Sequence, residues 1–215
     1  MAAILIYGAS GHARVIIDII EHANIHKIIG LVDDTGSVNN LMGYPVARDI
    51  SNFLDRGVNS GLVAIGDNWQ RSRLVTKILD RCKDFEFVTA IHPSVKRARD
   101  VVVGDGTVVM AGCNINTCTQ VGHHCIINTG SNVDHDCMVN DFASLAPGVT
   151  IGGNVVIGEY TAVGLGASVI QKVEIESHTI IGAGSVVIKN IPSHCVAYGN
   201  PCKFVRNREV DGSYL

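Results

Sequence analysis

Aliphatic residues recur at every sixth position over a long, uninterrupted stretch of this chain. Fifteen consecutive six-residue units run from Val103 to Pro192, and each of them opens with Val, Ile or Leu. An α-helix, with its period of 3.6 residues, cannot keep every sixth residue on one face. A coil of three short strands can, if each unit forms one side and its aliphatic residue points inward. Such repeats are typical of a hexapeptide β-helix, and fifteen units predict about five coils.

Two other positions of each unit are also restricted. Glycine often follows the lead residue, and the fifth residue is usually small or β-branched. Cys113, Cys125 and Cys137 occupy fifth positions, so we expect them to be small fillers of the interior. Because the chain has no CxxC motif and an odd number of cysteines, we do not expect a disulfide framework.

The first ninety residues follow a different pattern, in which apolar runs alternate with helical periodicity. Strands are predicted at 3–7, 27–32, 61–66 and 85–90, and helices at 13–22 and 70–83. This alternation is typical of a small parallel, Rossmann-like α/β sheet. We therefore expect an α/β domain at 1–90, a β-helix at 91–195 that is entered through the turn at 91–94, and a C-terminal tail at 196–215.

Charge and hydropathy exclude several classes of function. The net charge of −3 gives no basic surface for nucleic acid, and no apolar run reaches the length of a membrane span. The first residues lack the basic region and long apolar core of a signal peptide, so we expect a cytoplasmic protein.

Polar or glycine residues follow three of the predicted strands. They are the turn Gly8–His12, the pair Asp33 and Asp34, and the loop Gly66–Asn68. In an open parallel sheet, ligands bind beyond the carboxyl ends of the strands, and a helix N-terminus favours phosphate. The turn lacks the full dinucleotide fingerprint, which favours a mononucleotide diphosphate. The alternative is that these residues form ordinary turns and solvated loops.

His135 is the candidate catalytic residue of the repeats. It occupies the third position of its unit, which faces outward, and Asp134 and Asp136 flank it. Neighbouring carboxylates stabilise an imidazolium and so make histidine a stronger general base. The alternatives are a surface histidine in an acidic turn, or catalysis by His123 or His124.

The remaining histidines are assigned no chemistry. His92, before a proline, is expected in a turn, and four others are expected to be ordinary surface residues: His22, His26, His178 and His194. Because no histidine or cysteine cluster has metal-ligand spacing, we expect no metal.

The motifs together resemble those of one known family. In chain order they are Ile-Tyr-Gly-Ala-Ser-Gly-His, Val-Asp-Asp, Ala-Ile-Gly-Asp-Asn, Ile-His-Pro-Ser, Asn-Thr-Gly-Ser-Asn-Val-Asp-His-Asp-Cys and Gly-Asn-Pro-Cys-Lys. They resemble the bacterial nucleotide-sugar acetyltransferases of the PglD and NeuD type, which include N-acetyltransferases of UDP-linked 4-amino sugars and of GDP-perosamine and a sialic acid O-acetyltransferase group. The resemblance covers the chain to about residue 206. It implies a left-handed β-helix, a homotrimer, acetyl-CoA as cosubstrate and a role in bacterial surface glycan or O-antigen synthesis.

The resemblance also implies roles for individual residues. It implies His135 as general base and Asp136 as the carboxylate that raises its basicity. The nucleotide sugar is implied to bind at Ser10, Gly11, His12, Asp33, Asp34 and Gly66. Acetyl-CoA is implied to bind at Ser144, Gly153, Leu165, Ala183 and Lys203.

The sequence departs from the family at two positions, and three hypotheses about its function stay open. Many members have glutamate where this chain has Asp136, and a second histidine where it has Ser144. The first hypothesis is N-acetylation of a nucleotide-linked 4-amino sugar. The second is O-acetylation of sialic acid or a related sugar. The third is a non-catalytic trimer that binds nucleotide sugar, and the absence of the second histidine at Ser144 favours this third hypothesis.

Overall fold

The N-terminal part of the molecule is a six-stranded sheet with helices packed against it. The computed structural model describes residues 1–54 and 57–212. The elements are β1 Ala2–Tyr7, α1 Gly11–Ala23, β2 His26–Val32, β3 Asn40–Leu41, β4 Tyr44–Ala47, α2 Ser51–Leu54, β5 Ser60–Val63, α3 Asn68–Arg81 and β6 Glu86–Phe87. The strand order is β3-β4-β2-β1-β5-β6, and every pair is parallel except β3 with β4. The chain leaves β1 toward β2 and later returns to its other side at β5, which creates a crevice at the carboxyl ends of these strands.

Short strands then form three parallel sheets that run along the β-helix. The first face contains β7 Ala90–Ile91, β10 Val108–Val109, β13 Ile126–Ile127, β16 Ser144–Leu145, β19 Ala162–Val163, β22 Ile180–Ile181 and β24 Cys195–Tyr198. The second face contains β8 Lys96–Arg97, β11 Asn114–Ile115, β14 Asn132–Val133, β17 Thr150–Ile151, β20 Ser168–Val169 and β23 Val186–Val187. The third face contains β9 Val102–Val103, β12 Gln120–Val121, β15 Met138–Val139, β18 Val156–Ile157 and β21 Glu174–Ile175. The left-handed β-helix and the preceding α/β domain predicted from the sequence are confirmed.

The lead residues of the units form the interior of the β-helix. From Val109 onward they are at most 4% exposed, and they share one core with the buried cysteines of the fifth positions. Each buried thiol donates a hydrogen bond to a carbonyl of the next coil, as Cys137 Sγ does to Gly152 O at 3.1 Å. The inward register predicted for Cys113, Cys125 and Cys137 is therefore confirmed.

The β-helix begins two six-residue units, or two thirds of a coil, earlier than the aliphatic pattern predicts. β7, β8 and β9 form a coil of their own, so residue 91 is already part of the β-helix and is not in a turn that leads to it. The pattern fails here because Arg97 holds a lead position and is exposed to solvent. The same region corrects the predicted strand at 85–90: its first half pairs in the α/β sheet as β6 and its end pairs in the β-helix as β7.

Two smaller elements also differ from the prediction. β3 and β4 form a hairpin that no sequence pattern indicated. The tail forms a second hairpin, in which β25 Lys203–Asn207 runs antiparallel to β24. The domain boundaries 1–90, 91–195 and 196–215 stay a prediction. The last three residues of the tail lie outside the described residues.

The α/β domain covers only the early coils of the first face. Apolar side chains of α1 share a core with Ala90, Val108, Met110 and Ile126 from β7, β10 and β13. β16, β19 and β22 lie beyond this contact, which leaves the later part of the face open beside the strand ends of the α/β sheet. Within the described residues, no helix has the length and apolar character to cross a membrane.

Replacing Ile157 with alanine tests the packing of the β-helix interior. Ile157 is fully buried, so the cavity left behind should lower the free energy of unfolding by about 2–5 kcal/mol. Glu174→Ala is the matched control, because Glu174 lies exposed on the neighbouring strand, and its effect should stay within about 0.5 kcal/mol. Urea unfolding followed by circular dichroism measures both, and equal effects would contradict the assignment of Ile157 to the core.

Candidate active site

The turn after β1 needs glycine at its first position. Gly8 has a φ of 103°, and its N–H donates to Val32 O at 2.8 Å. A Cβ at Gly8 would lie 3.0 Å from Ala64 O at the end of the neighbouring strand. Ser10 and Gly11 follow as exposed residues where α1 begins, so the turn brings the helix N-terminus to the carboxyl edge of the sheet.

The acidic pair after β2 serves two different purposes. Asp33 accepts hydrogen bonds from the N–H of Ala9 at 2.8 Å and from the N–H of Thr35 at 3.0 Å, one on each carboxylate oxygen. It therefore fixes the glycine turn against the end of β2. Asp34 is exposed and forms an ion pair with Lys77 at 3.1 Å. Contact of either carboxylate with a ligand remains a prediction.

His12 is held neutral at the start of α1. Burial, with a smaller contribution from the charge of Arg71, lowers the pKa of His12 to about 4. Its Nε2 is buried and has no hydrogen-bond partner among the residues that the structure describes. A neutral imidazole with an unused buried nitrogen is suited to hydrogen-bond a ligand.

A cavity of about 310 Å³ joins the α/β domain to the first face of the β-helix. It is lined by His12, Gly66, Ile126, Asn128, Ser144, Leu145, Ala146, Ala162, Val163, Gly164, Leu165, Ile180, Ile181, Gly182 and Ala183. The structure thus brings together two residues predicted for the nucleotide sugar and three predicted for acetyl-CoA. Ser144 is almost buried in the floor of this cavity, whereas Leu165 is 58% exposed at its rim.

The other predicted residues lie outside this cavity lining. Lys203 is exposed on β25, in the C-terminal hairpin. Gly153 lies on the coil that follows His135, next to its imidazole. The predicted acetyl-CoA residues are therefore not all in one place within a single chain.

His135 and Asp136 form a hydrogen-bonded pair at the corner between β14 and β15. His135 Nδ1 lies 2.7 Å from Asp136 Oδ2. Because an ionised carboxylate has only acceptors, the imidazole donates from Nδ1 and keeps a lone pair on Nε2. This hydrogen bond is the largest cause that raises the pKa of His135. The side chains are about half exposed, so a substrate can reach Nε2.

The backbone of the corner is fixed by its neighbours. Asp134 Oδ1 accepts from the N–H of His135 at 2.8 Å and from Asn116 Nδ2 at 3.0 Å. Asp136 has a φ of 55°, and its N–H donates to Thr117 O at 3.0 Å. This left-handed residue turns the chain so that the carboxylate of Asp136 can reach back to the ring of His135.

Gly153 leaves room for the imidazole of His135. A Cβ at Gly153 would lie 2.6 Å from both Cε1 and Nε2 of that ring. The N–H of the next residue, Asn154, donates to His135 O at 3.0 Å and holds the two coils in this register. The glycine therefore shapes the space around the nitrogen that carries the lone pair.

Replacing Asp136 with asparagine tests the charge beside His135. A base must be unprotonated, so kcat/KM rises with pH through the pKa of His135. Loss of the Asp136 charge lowers that pKa, so the rising limb of the pH profile of kcat/KM should move to lower pH. The plateau value of kcat/KM at high pH should fall by about 10- to 100-fold, because the imidazolium is no longer stabilised. Asp134→Asn is the control and should shift the limb less, since Asp134 acts on His135 without the side-chain hydrogen bond. A rising limb that stays in place in Asp136→Asn would contradict the pairing.

The two rival histidines have structural roles. His123 Nδ1 accepts from the N–H of Asp105 at 3.1 Å on the surface. His124 is 8% exposed, and its ring packs between those of Phe87 and Phe142 at 4.6 and 5.0 Å. Burial and the charge of Arg71 lower the pKa of His124 to about 4. Among the residues that the structure describes, neither histidine pairs its ring with a carboxylate as His135 does.

A column of rings, which the sequence analysis missed, follows one corner of the β-helix. Its members are His124, Phe142, Tyr160, His178 and His194, one from each successive coil. Neighbouring ring centroids are 4.6 to 5.2 Å apart. The assignment of His178 as an ordinary surface residue is therefore wrong, because its ring stacks on Tyr160 at an angle of 8°. The signal in the sequence was an aromatic or histidine residue at every eighteenth position from His124 to His178, and His194 follows after sixteen residues.

The fold also brings together three possible metal ligands that are distant in sequence. Ligand atoms of Asp18, His22 and His92 all lie within 4.8 Å of one another. The spacing of residues along the chain could not indicate this cluster, because Asp18 and His22 come from α1 whereas His92 comes from the first coil of the β-helix. His92 Nδ1 already accepts from the N–H of Ser94, and we assign no metal to this cluster.

Known proteins resemble this chain in sequence and in structure. Residues 3–78 match the family model described as the PglD N-terminal domain. The GDP-perosamine N-acetyltransferase of Caulobacter crescentus, solved as a histidine-to-alanine variant with CoA and GDP-perosamine, is 36% identical with a TM-score of 0.90, and the match covers 96% of this chain and 98% of that one. The acetyltransferase domain of PglB from Neisseria gonorrhoeae, solved with acetyl coenzyme A, is 28% identical with a TM-score of 0.86, and the match covers 94% of this chain and 98% of that one.

A curated relative matches over a shorter range. The UDP-N-acetylbacillosamine N-acetyltransferase of Bacillus subtilis is 37% identical over 116 residues, which are 52% of this chain and 52% of the relative. The match thus spans about half the length of that protein. The structural relative from Caulobacter, by contrast, is matched over nearly its whole length. The resemblance predicted from the motifs is confirmed, and the chain belongs to the PglD-like family of sugar N-acetyltransferases built on a left-handed β-helix.

Proposed function

We propose that the protein transfers an acetyl group from acetyl-CoA to the amino group of a nucleotide-linked 4-amino sugar. The observation that carries this proposal is the cavity shared by the two domains. Its lining combines His12 and Gly66, from the strand ends of the α/β sheet, with Ser144 and Leu165 from the β-helix. Relatives of the same fold were solved with CoA and GDP-perosamine bound together, which is the pair of ligands that such a cavity would hold.

The proposed reaction is a direct transfer in which His135 acts as general base. The nitrogen of the neutral sugar amine attacks the thioester carbon, and Nε2 of His135 accepts the proton that this nitrogen loses. The tetrahedral intermediate collapses with cleavage of the C–S bond, and the proton passes from His135 to the sulfur of CoA. Asp136 stabilises the imidazolium between these steps. Much of the acceleration comes from holding the amine next to the thioester.

Cys137 takes no part in this reaction. Its side chain is 2% exposed, and burial raises the pKa of its thiol. An acyl-cysteine intermediate would need a thiolate that faces the substrate. The buried thiol instead donates to the backbone of the next coil.

We propose a homotrimer in which His135 of one subunit completes the cavity of its neighbour. His135 lies beyond the second face, whereas the cavity lies on the first face of the same chain. An open groove of about 810 Å³ runs along the second face beside Asp134, and it includes Asn114, Asn132 and Thr150. A neighbouring subunit packed along this groove would bring its first face close to His135. Acetyl-CoA would then lie between subunits, with Ala183, Gly153 and Lys203 contributing from different sides.

The remaining assignments follow from the family and are part of the same proposal. Ser10, Gly11, Asp33 and Asp34 would surround the nucleotide at the edge of the α/β sheet. Ser144 would donate a hydrogen bond to the thioester carbonyl in place of a second histidine. The product would be used in the cytoplasm for the synthesis of a bacterial surface glycan.

A thiol-release assay tests the function. Acetyl-CoA is supplied with UDP-, GDP- and dTDP-linked 4-amino sugars in turn, and free sialic acid is included as an O-acetyl acceptor. Turnover with one nucleotide-linked amino sugar is the expected result, and mass spectrometry should show one acetyl group on the amine. Turnover with sialic acid alone, or binding of nucleotide sugar without any turnover, would contradict the proposal.

A further inference from the structure

Arg71 is a buried arginine that joins the two domains. It lies in α3, and only 1% of its surface is exposed, which is rare for a charged side chain. The guanidinium donates from Nη1 to Ile65 O and Gly66 O at 2.9 and 3.0 Å. It also donates from Nε to His124 O at 2.8 Å and from Nη2 to Phe142 O at 2.9 Å.

The carbonyls that accept from Arg71 belong to two separate parts of the fold. Ile65 and Gly66 form the loop after β5, which lines the cavity where we place the nucleotide sugar. His124 and Phe142 belong to two successive coils of the β-helix. The planar guanidinium group of one side chain therefore fixes the position of the loop relative to the coils.

Asn68 extends the connection to a third coil. Its Oδ1 accepts from Arg71 Nη2 at 2.7 Å, and its Nδ2 donates to Tyr160 O and Thr161 O at 3.1 and 3.2 Å. Asn68 is 2% exposed and is the first residue of α3. The end of the loop is thus attached to the β-helix through both residues.

The ring column provides the surface to which these residues bind. His124, Phe142, Tyr160 and His178 all have a φ between 54° and 58°. Bulky side chains rarely adopt this left-handed conformation, which costs about 1–2 kcal/mol per residue. Stacking of the rings offsets this cost, and three of the four residues present their carbonyls to Arg71 or Asn68.

We infer that Arg71, supported by Asn68, is a positioning residue that sets the distance between the bound nucleotide sugar and acetyl-CoA. The inference rests on the proposed function, because Gly66 and Ser144 line the same cavity. Displacement of the loop would move the sugar amine away from the thioester. A shift of about 1 Å between reacting groups can lower the rate about 100-fold.

Replacing Arg71 with lysine tests the inference. Lysine keeps the buried charge but has three donors at one point, so it cannot reach four carbonyls on two sides. We expect the Kd for the nucleotide that the wild type binds (UDP, GDP or dTDP) and the KM for the nucleotide sugar to rise about tenfold or more, and kcat to fall. The Kd for CoA should change less than about twofold, since the β-helix itself is intact. Isothermal titration with UDP, GDP, dTDP and CoA measures binding without turnover.

Trp69→Leu is the matched control. The ring of Trp69 contacts the same column, with its centroid 5.8 Å from that of Tyr160 and 6.3 Å from that of His178. This variant should lower the melting temperature while nucleotide binding stays at the wild-type value. If Arg71→Lys does not fold, Asn68→Ser carries the test and should weaken nucleotide binding in the same direction.

The outcomes separate this inference from the proposed function. A stable Arg71→Lys protein that binds UDP, GDP or dTDP as the wild type does would overturn the positioning role and leave the function intact. Equal weakening of nucleotide and CoA binding would also overturn it, because that result indicates general destabilisation. Wild-type protein that binds none of UDP, GDP and dTDP would overturn both.

Discussion

Replacing His135 with alanine should lower kcat by about 100-fold or more while leaving the protein folded. The ring is about half exposed, so its loss leaves no buried cavity. General-base catalysis contributes about 10²- to 10⁴-fold, and the variant loses this contribution. The KM values for both substrates should change little, because the base acts mainly in the transition state. Steady-state kinetics by thiol release measures the effect.

His123→Ala is the control for this experiment. His123 occupies the same third position of a hexapeptide unit, twelve residues earlier, and it is also exposed. Within 1–54 and 57–212, no carboxylate pairs with its ring, so its replacement should leave kcat within about twofold of the wild type. Near-normal turnover in His135→Ala, or an equal loss in both variants, would show that His135 is not the base.

Replacing Gly153 with alanine should also reduce activity by about 100-fold, although Gly153 carries no side chain of its own. The new methyl group would overlap Nε2 and Cε1 of His135, and the exposed ring can move away. Stability should therefore change little, whereas the nitrogen of the base is displaced from the amine. Displacement by about 1 Å is sufficient for a loss of this size.

A double-mutant cycle separates this explanation from a direct effect on acetyl-CoA. If Gly153→Ala acts only through the ring of His135, it should cause no further loss in the His135→Ala background. Additive losses would show that the new methyl group also disturbs acetyl-CoA directly, at the contact that the family resemblance implies for Gly153. Both outcomes are read from kcat/KM for acetyl-CoA.

The β-helix could be predicted from the sequence because its interior accepts few residue types. A lead residue faces a narrow core, so only Val, Ile or Leu fits at each turn from Val109 onward. The prediction failed where this constraint is relaxed, at Arg97 in the first coil, which points to solvent. It also failed at 85–90, because local pattern cannot show that a chain passes from one sheet to another.

The site was only partly predictable for a similar reason. His135 and Asp136 are adjacent in sequence, so their pairing could be expected from the motif. The cavity joins His12 to Ser144, and the positioning contacts join Arg71 to Phe142, across a large separation in the chain. Contacts of this kind depend on how the α/β domain docks on the β-helix, which no local pattern encodes. The ring column has a period of eighteen residues from His124 to His178, three times the length of the hexapeptide unit, so the six-residue pattern does not indicate it.

The stacking of the coils limits how this protein can change length during evolution. Backbone and side-chain bonds repeatedly join residues that are eighteen positions apart, one full coil. Inserting a single hexapeptide would rotate every later residue by one third of a turn and move it to a different face. The ring column would be broken, and the cavity floor would no longer lie beside the nucleotide loop. Viable insertions and deletions between the α/β domain and the last coil should therefore occur in whole coils, or as loops at the corners.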